Sequence, residues 1–159
     1  MSSLPQVRPV GHVASARTDP ADTTGWRDVD ARVEPVAELG SHAPDGLDGF
    51  SPAETLFWFD RITPRPSYAE PARARGRADM PLIGVFAARG PYRPNPIGVS
   101  AGRILEVGDT GLTVRGLDAV EGTPVLDIKP VLPILLPAGA TEPDWSRRLM
   151  ADHHTGAGA

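Results

Sequence analysis

Proline and glycine punctuate this chain so densely that strands and stiff loops must carry most of the fold. Its 159 residues include 18 prolines and 17 glycines, against the ~12% combined share of an average domain. Proline fixes φ and removes the amide hydrogen that a helix interior needs, so helices are expected to be few and loops long. The apolar share of 40% suffices for one domain with a modest core. Without cysteine, disulfides and thiolate chemistry drop out and a reducing compartment is acceptable. No apolar run approaches the roughly 18 residues of a membrane span, and the N-terminus lacks an apolar signal-peptide core. The expectation is a soluble, cytoplasmic protein. A formal net charge of −4 gives no global pull toward nucleic acid.

Alternation locates the strands. Val7 to Ala14 reads as a first strand, and Arg17 to Gly25 as a turn or mobile loop. Trp26 to Val36 reads as a half-buried strand, and Gly40 to Gly49 as a loop holding His42. Leu56 to Phe59 is either a short buried strand or a helix end, which periodicity does not separate. Leu82, Ile83, Val85 and Phe86 read as a buried strand. Ala101 to Val107 and Leu112 to Leu117 flank Gly108-Asp109-Thr110-Gly111, the clearest hairpin signal. Pro124 to Ile128 is a further strand. Thr141 can cap a last short helix, with Pro143 in its first turn and Trp145 and Leu149 on one face. His153 to Ala159 reads as a frayed tail. The sum is mainly β, a single barrel-like folded mixed sheet with one or two short helices. Residues 1–150 form the expected domain and 151–159 its tail.

Chemistry concentrates in two stretches. Gly84 to Ser100, GVFAARGPYRPNPIGVS, holds three prolines around Arg89, Tyr92, Arg93 and Asn95. Proline pushes the residue before it toward an extended conformation, so the loop loses little entropy on closing over a ligand. It reads as a pre-set binding loop, with Tyr92, Arg93 and Asn95 as substrate-contacting candidates. The second stretch, Val125-Leu126-Asp127-Ile128-Lys129-Pro130, contains the only lysine of the chain. Burying an acid and a lysine among apolar neighbours is costly unless they are paired or bind a charged group. The alternative is an edge strand whose Asp127 and Lys129 project from one face into water. Asp118 and Glu121 lie just upstream.

Other motifs carry less. Gly98-Val99-Ser100-Ala101-Gly102 matches the G-x-S-x-G hydrolase elbow, but that motif needs a strand before it and a helix after it. Here strand-like residues follow, and a chance match is the better reading. No phosphate-cradling glycine motif occurs. The four histidines (His12, His42, His153, His154) lack metal-ligand spacing, and no metal is expected. Arg61, Arg65, Arg73, Arg75 and Arg77 surround Tyr68 with Glu70 as the one acid from Arg61 to Arg77. That cluster reads equally as a phosphate-tracking, base-stacking patch or as a solvated loop.

The two stretches resemble the TsaA-like (TrmO-like) family of S-adenosylmethionine-dependent methyltransferases. GVFAARGPYRPNPIG and LDAVEGTPVLDIKPVLP are similar to that family's strongest motifs, GVFATRSPFRPNPIG and LDLVDGTPVLDIKPYLP. The resemblance implies a β-barrel-like homodimer with S-adenosylmethionine near its interface. It implies methylation of the exocyclic amine of a modified adenosine beside the tRNA anticodon. Carried over by position, Phe86, Ala87, Arg89 and Val99 would line the cofactor site from the loop, and Leu126, Asp127, Ile128 and Lys129 from the second motif. Where the family often has Ser-Pro-Tyr and then Pro-Arg-Gln, this chain has Ser15-Ala16-Arg17 and then Gly25-Trp26-Arg27; Gly25 and Trp26 are candidates at the second position. Phe50-Ser51-Pro52 stands where the family shows Phe-Ser-His. The chain stops soon after the second motif, without the extra C-terminal domain of some bacterial members.

Methyl transfer from a sulfonium needs alignment and exclusion of water more than a trained nucleophile. Arg89 can meet the methionine carboxylate. Asp127, Asp118 or Glu121 can accept the proton that the acceptor amine sheds; the sequence does not choose among them. Two alternatives stand beside tRNA methylation. One is N-methylation of a small nitrogenous metabolite, and the other is a module that binds S-adenosylmethionine without catalysis.

Overall fold

The computed structural model describes residues 6–22 and 25–155. Its strands are β1 (Gly11–Ser15), β2 (Asp30–Pro35), β3 (Pro52–Trp58), β4 (Ala72–Arg73), β5 (Leu82–Ile83), β6 (Ile97–Gly108), β7 (Gly111–Arg115) and β8 (Pro124–Pro130). Six of them close into a barrel in the order β1-β2-β7-β6-β3-β8, while β4 and β5 form a separate two-stranded ribbon. Every pairing is antiparallel, so the expected β-barrel is present and its sheet is not mixed. Closure leaves the barrel without an edge strand among the described residues. One helix, α1 (Asp144–Thr155), follows. Among the described residues no helix is long and apolar enough to cross a membrane.

Period-2 alternation builds the core. In β3, Ala53, Thr55 and Phe57 are buried while Glu54, Leu56 and Trp58 stay half-exposed. Val13, Val33, Leu112, Val114, Leu117 and Val125 meet Phe57 inside the barrel. The first half of β6 turns small residues inward, Gly98, Ser100 and Gly102, because its neighbours occupy the space. A Cβ on Gly98 would lie 2.3 Å from the Phe57 ring, and one on Gly102 would lie 3.1 Å from the Arg115 carbonyl oxygen. The β6–β7 hairpin closes through Asp109 and Thr110, with Gly108 paired to Gly111. Gly111 takes φ 131 where any Cβ would strike the Val33 carbonyl.

One irregularity decides which residues face outward. Phe57 pairs with Val125 and Leu56 with Asp127, leaving Leu126 as an extra residue in β8. Strict alternation from buried Val125 would send Asp127 into the core. The bulge reverses the phase, so Ile128 packs against the core and Asp127 and Lys129 point outward.

Several sequence expectations shift. The buried strand expected over Leu82–Phe86 shrinks to the two residues of β5; Val85–Ala87 is a 3-10 turn and Phe86 is 86% exposed. The side chain that anchors this region is Met80, fully buried. β1 begins at Gly11, after an exposed Val7. The strand expected from Trp26 begins at Asp30, because Gly25 at φ 64 opens a 3-10 turn over Trp26–Asp28. Leu56–Phe59 resolves as the end of seven-residue β3. The final helix runs to Thr155, past His153, where a frayed tail was expected; residues 156–159 lie outside the described residues.

Candidate functional site on the outer wall of the barrel

Strand register gathers the two chemically marked stretches on one wall. Across β6, β3 and β8 the residues Val99, Leu56 and Asp127 stand in one row, and Ala101, Glu54 and Lys129 in the next. All lie on the outward face, where Val99 is 40% exposed. The proline-rich loop is fastened beside this wall. Phe59 N–H donates to the Pro96 carbonyl (2.8 Å), and Ile97 N–H to the Asn95 carbonyl (2.7 Å). Arg93 Nη1 donates to the Ala88 carbonyl (2.9 Å), bracing the loop across its neck. Arg89 Nη2 donates to the Val99 carbonyl (3.2 Å), which ties the loop to the row and leaves the other guanidinium hydrogens for a ligand.

Asp127 and Lys129 form an ion pair, Nζ to Oδ2 2.6 Å, with both side chains about half exposed (44% and 60%). The Ile128 N–H donates to Asp127 Oδ1 at 2.9 Å. Hydrogen bonding to Asp127, and then its charge, raises the Lys129 ammonium above its usual range. Asp127 and Lys129 are therefore not a buried pair: they project together from one face into solvent, the alternative expected of this strand, although β8 is paired on both sides and is no edge strand. Their alignment with Val99 and the loop remains, and it points to a surface that holds a ligand from outside the barrel.

A second cluster occupies one end of the barrel, past β1, β3 and β7. Ser15 N–H donates to Glu121 Oε2 (2.6 Å). Arg61 donates to the carbonyls of Thr18 and Glu121. Arg17, whose side chain is only 9% exposed, reaches Asp118 Oδ1 at 3.4 Å, and its Nε has no partner. Ser100 Oγ accepts the Asp118 N–H (3.1 Å) and donates to the Gly116 carbonyl (3.2 Å). Ser100 is thus a buried strand residue tying down a turn, and the elbow-like pattern around it comes from the small inward face of β6.

Not every candidate converges. Gly25 and Trp26 precede β2, which stands opposite β3 in the barrel order, with the Arg27 guanidinium 5.1 Å from the Trp26 ring centroid. Their turn packs at the end of β7, where the Gly116 N–H donates to the Val29 carbonyl (3.2 Å). Phe86 and Ala87 are exposed on the loop. In the arginine cluster, Arg61 is bound to backbone carbonyls as described, Arg73 donates to the Met80 carbonyl, and Arg77 pairs with Asp79 (2.8 Å). Arg65 stacks over Tyr92, 5.0 Å from the ring centroid. Among the described residues no group of three His, Asp or Glu side chains could hold a metal.

Sequence reasoning missed Leu56 and its neighbours Glu54 and Trp58. Their alternation with Ala53, Thr55 and Phe57 is legible in the sequence, and it extends the strand expected at Leu56 back to Pro52.

Similar proteins share both the motifs and the barrel. The sequence profile of the tRNA-methyltransferase O N-terminal domain matches residues 12–135. The tRNA (adenine(37)-N6)-methyltransferase of Escherichia coli is 44% identical over 95 residues, which is 55% of this chain and 39% of that protein. A probable S-adenosyl-L-methionine-binding protein of Methanothermobacter thermautotrophicus is 36% identical over 128 residues, 79% of this chain and 88% of the relative. The crystal structure of TrmO superposes with a TM-score of 0.72 at 27% identity, covering 88% of this chain and 64% of that one. This chain therefore spans less than two thirds of the solved TrmO chain. By profile, motif and barrel, the chain belongs to the tRNA-methyltransferase O N-terminal domain family.

Proposed function

We propose that the protein is a cytoplasmic methyltransferase that takes its methyl group from S-adenosylmethionine and delivers it to N6 of an adenosine in tRNA. The observation that carries this reading is the single outward row formed by Val99, Leu56 and Asp127 with Arg89 tied into it. Relatives named as S-adenosyl-L-methionine-binding proteins and as tRNA (adenine(37)-N6)-methyltransferases support donor and acceptor respectively.

The residues present suit the donor. Arg89 offers unfilled N–H groups for a carboxylate, Phe86, Val99 and Leu126 offer apolar surface for a purine, and Asp127 offers a fixed carboxylate. Ala87, Ile128 and Lys129 complete the loop and strand on either side. When bound, the donor supplies an electrophilic methyl on a sulfonium. The chain's own work is to hold that methyl in line with the acceptor nitrogen and keep water out. As the new N–C bond forms and the S–C bond breaks, the amine sheds one proton.

Of the three candidate acids, Glu121 is already capped by the Ser15 N–H at 2.6 Å, and Asp127 is paired with Lys129. Asp118 has one long contact, to Arg17, and is assigned the proton. Tyr92, Arg93 and Asn95 meet the acceptor from the loop tip.

Residues 1–150 act as one domain and assemble as a homodimer. In that assembly a second copy brings its Gly25 and Trp26 to the donor row. Ile97, Val99 and the strongly exposed Phe86, Ile134 and Leu135 give that copy apolar surface to cover. One observation favours a small nitrogenous acceptor instead: most arginines of the 61–77 cluster are already engaged within the protein. The experiment is turnover with hypomodified tRNA and S-adenosylmethionine, followed by nucleoside analysis. A new N6-methylated adenosine is expected; donor binding with no methylated tRNA would overturn the assignment of acceptor.

A further inference from the structure

Arg65 differs from the other arginines of its cluster. Arg61, Arg73 and Arg77 each spend their guanidinium on a carbonyl or a carboxylate. Arg65 instead lies over Tyr92, 5.0 Å from the ring centroid. Its backbone N–H donates to the Tyr68 hydroxyl (3.2 Å), which fixes where the side chain leaves the loop. Among the described residues no acid lies within ion-pair distance of it, and its guanidinium donates no hydrogen bond to the protein.

A guanidinium stacked on an aromatic face keeps its N–H groups in the plane of the fork, directed away from the ring. That is the geometry for bidentate capture of a phosphate or carboxylate. Tyr92 is itself half exposed at the tip of the proline-braced loop, which Arg93 and Pro96 hold rigid. The cation is therefore pre-positioned at the rim of the proposed acceptor side, with its charge unspent.

We infer that the Arg65–Tyr92 stack is a phosphodiester clamp that docks the RNA backbone beside the transfer site. The inference rests on the tRNA reading above. An exposed single charge contact is weak, so it is useless for capturing a free anion. It gains value only on a ligand held elsewhere at the same time, where each added contact acts at high local concentration. A polyanion meets that condition.

The experiment measures tRNA affinity across a salt series for the wild-type protein, Arg65→Ala, Arg65→Lys and Tyr92→Leu, with S-adenosylmethionine affinity measured in parallel. Arg65→Ala is expected to weaken tRNA binding roughly three- to tenfold at low salt and to flatten the log–log salt slope by about 0.7–0.9, one phosphate contact. Arg65→Lys should keep the slope while losing part of the affinity, because a point charge replaces the stacked fork. Tyr92→Leu should weaken tRNA without flattening the slope. Donor affinity should hold within about twofold throughout, since Arg65 lies outside the donor row. Salt-dependent binding that Arg65→Ala leaves unchanged overturns the clamp alone. Wild-type protein that binds donor but no tRNA removes the tRNA reading together with it. An equal loss of donor and tRNA affinity in Arg65→Ala would reassign Arg65 to loop support and overturn the clamp.

Discussion

The two faces of β6 answer to different demands. Inward, Gly98, Ser100 and Gly102 are fixed by what presses on them: the Phe57 ring, the Gly116 and Asp118 backbone, and the Arg115 carbonyl. Outward, Ile97, Val99 and Ala101 have solvent over them and the outer residues of β3 beside them. One strand thus carries residues that shape the barrel and, alternating with them, residues of the proposed donor row. A motif spanning such a strand mixes the two kinds, and only the face tells them apart.

The largest effect should come from breaking the inward face. Gly98→Ala places a Cβ 2.3 Å from the Phe57 ring, and the ring must move; denaturant unfolding should show a loss of about 3 kcal/mol. Ser100→Ala should cost about 2 kcal/mol by the same measurement, because the part-buried Asp118 N–H and the buried Gly116 carbonyl lose their partner. A hydrolase nucleophile would instead lose activity without losing stability, so the pair of readouts sharpens the contrast. On the outer side, Arg89→Ala should change stability by no more than about 0.5 kcal/mol while weakening S-adenosylmethionine binding about tenfold in calorimetry.

The smallest effects are the pH responses of two exposed ion pairs on opposite walls. Lys129 titrates above its usual 10.5 because Asp127 bonds to it. Its contribution is complete below pH 10.5 and fades as pH rises through the raised value. Asp30, bonded to Arg115 at 2.6 and 3.0 Å between β2 and β7, is held below 3.8. Its contribution is present above pH 3.8 and fades as pH falls through the lowered value. Melting curves at the two extremes should shift in these opposite senses, and only the alkaline arm should also reduce donor affinity.

Much of the barrel is legible because alternation and turn residues announce it: the Gly108–Gly111 hairpin stands where it is read, and β1 and β2 lie within or close to their expected stretches with later starts. The failures have specific causes. Leu82–Phe86 is apolar but finds no partner strand beyond two residues, and apolar character alone does not bury a segment. For Asp127 and Lys129 the apolar neighbours suggest burial and the two-residue spacing suggests one solvated face; the face is solvated, and the bulge that sets its phase against Val125 is a tertiary event that local pattern does not signal. The arginine cluster was undecidable because each arginine's fate depends on a carbonyl or ring brought to it from elsewhere, as Thr18 is to Arg61 and Tyr92 to Arg65.

The extra residue at Leu126 works as a hinge in parity. Ahead of it the chain counts in step with the interior; beyond it the count is inverted. Straightening the strand into plain alternation with Leu126 retained would drive a carboxylate and an ammonium into the hydrocarbon centre and evict Ile128, a penalty of several kcal/mol for each buried ion. Deleting Leu126 would instead leave Val125, Asp127, Ile128 and Lys129 in unbroken in–out alternation opposite Phe57, Leu56, Thr55 and Glu54, so a one-residue gap here should keep both charges in solvent.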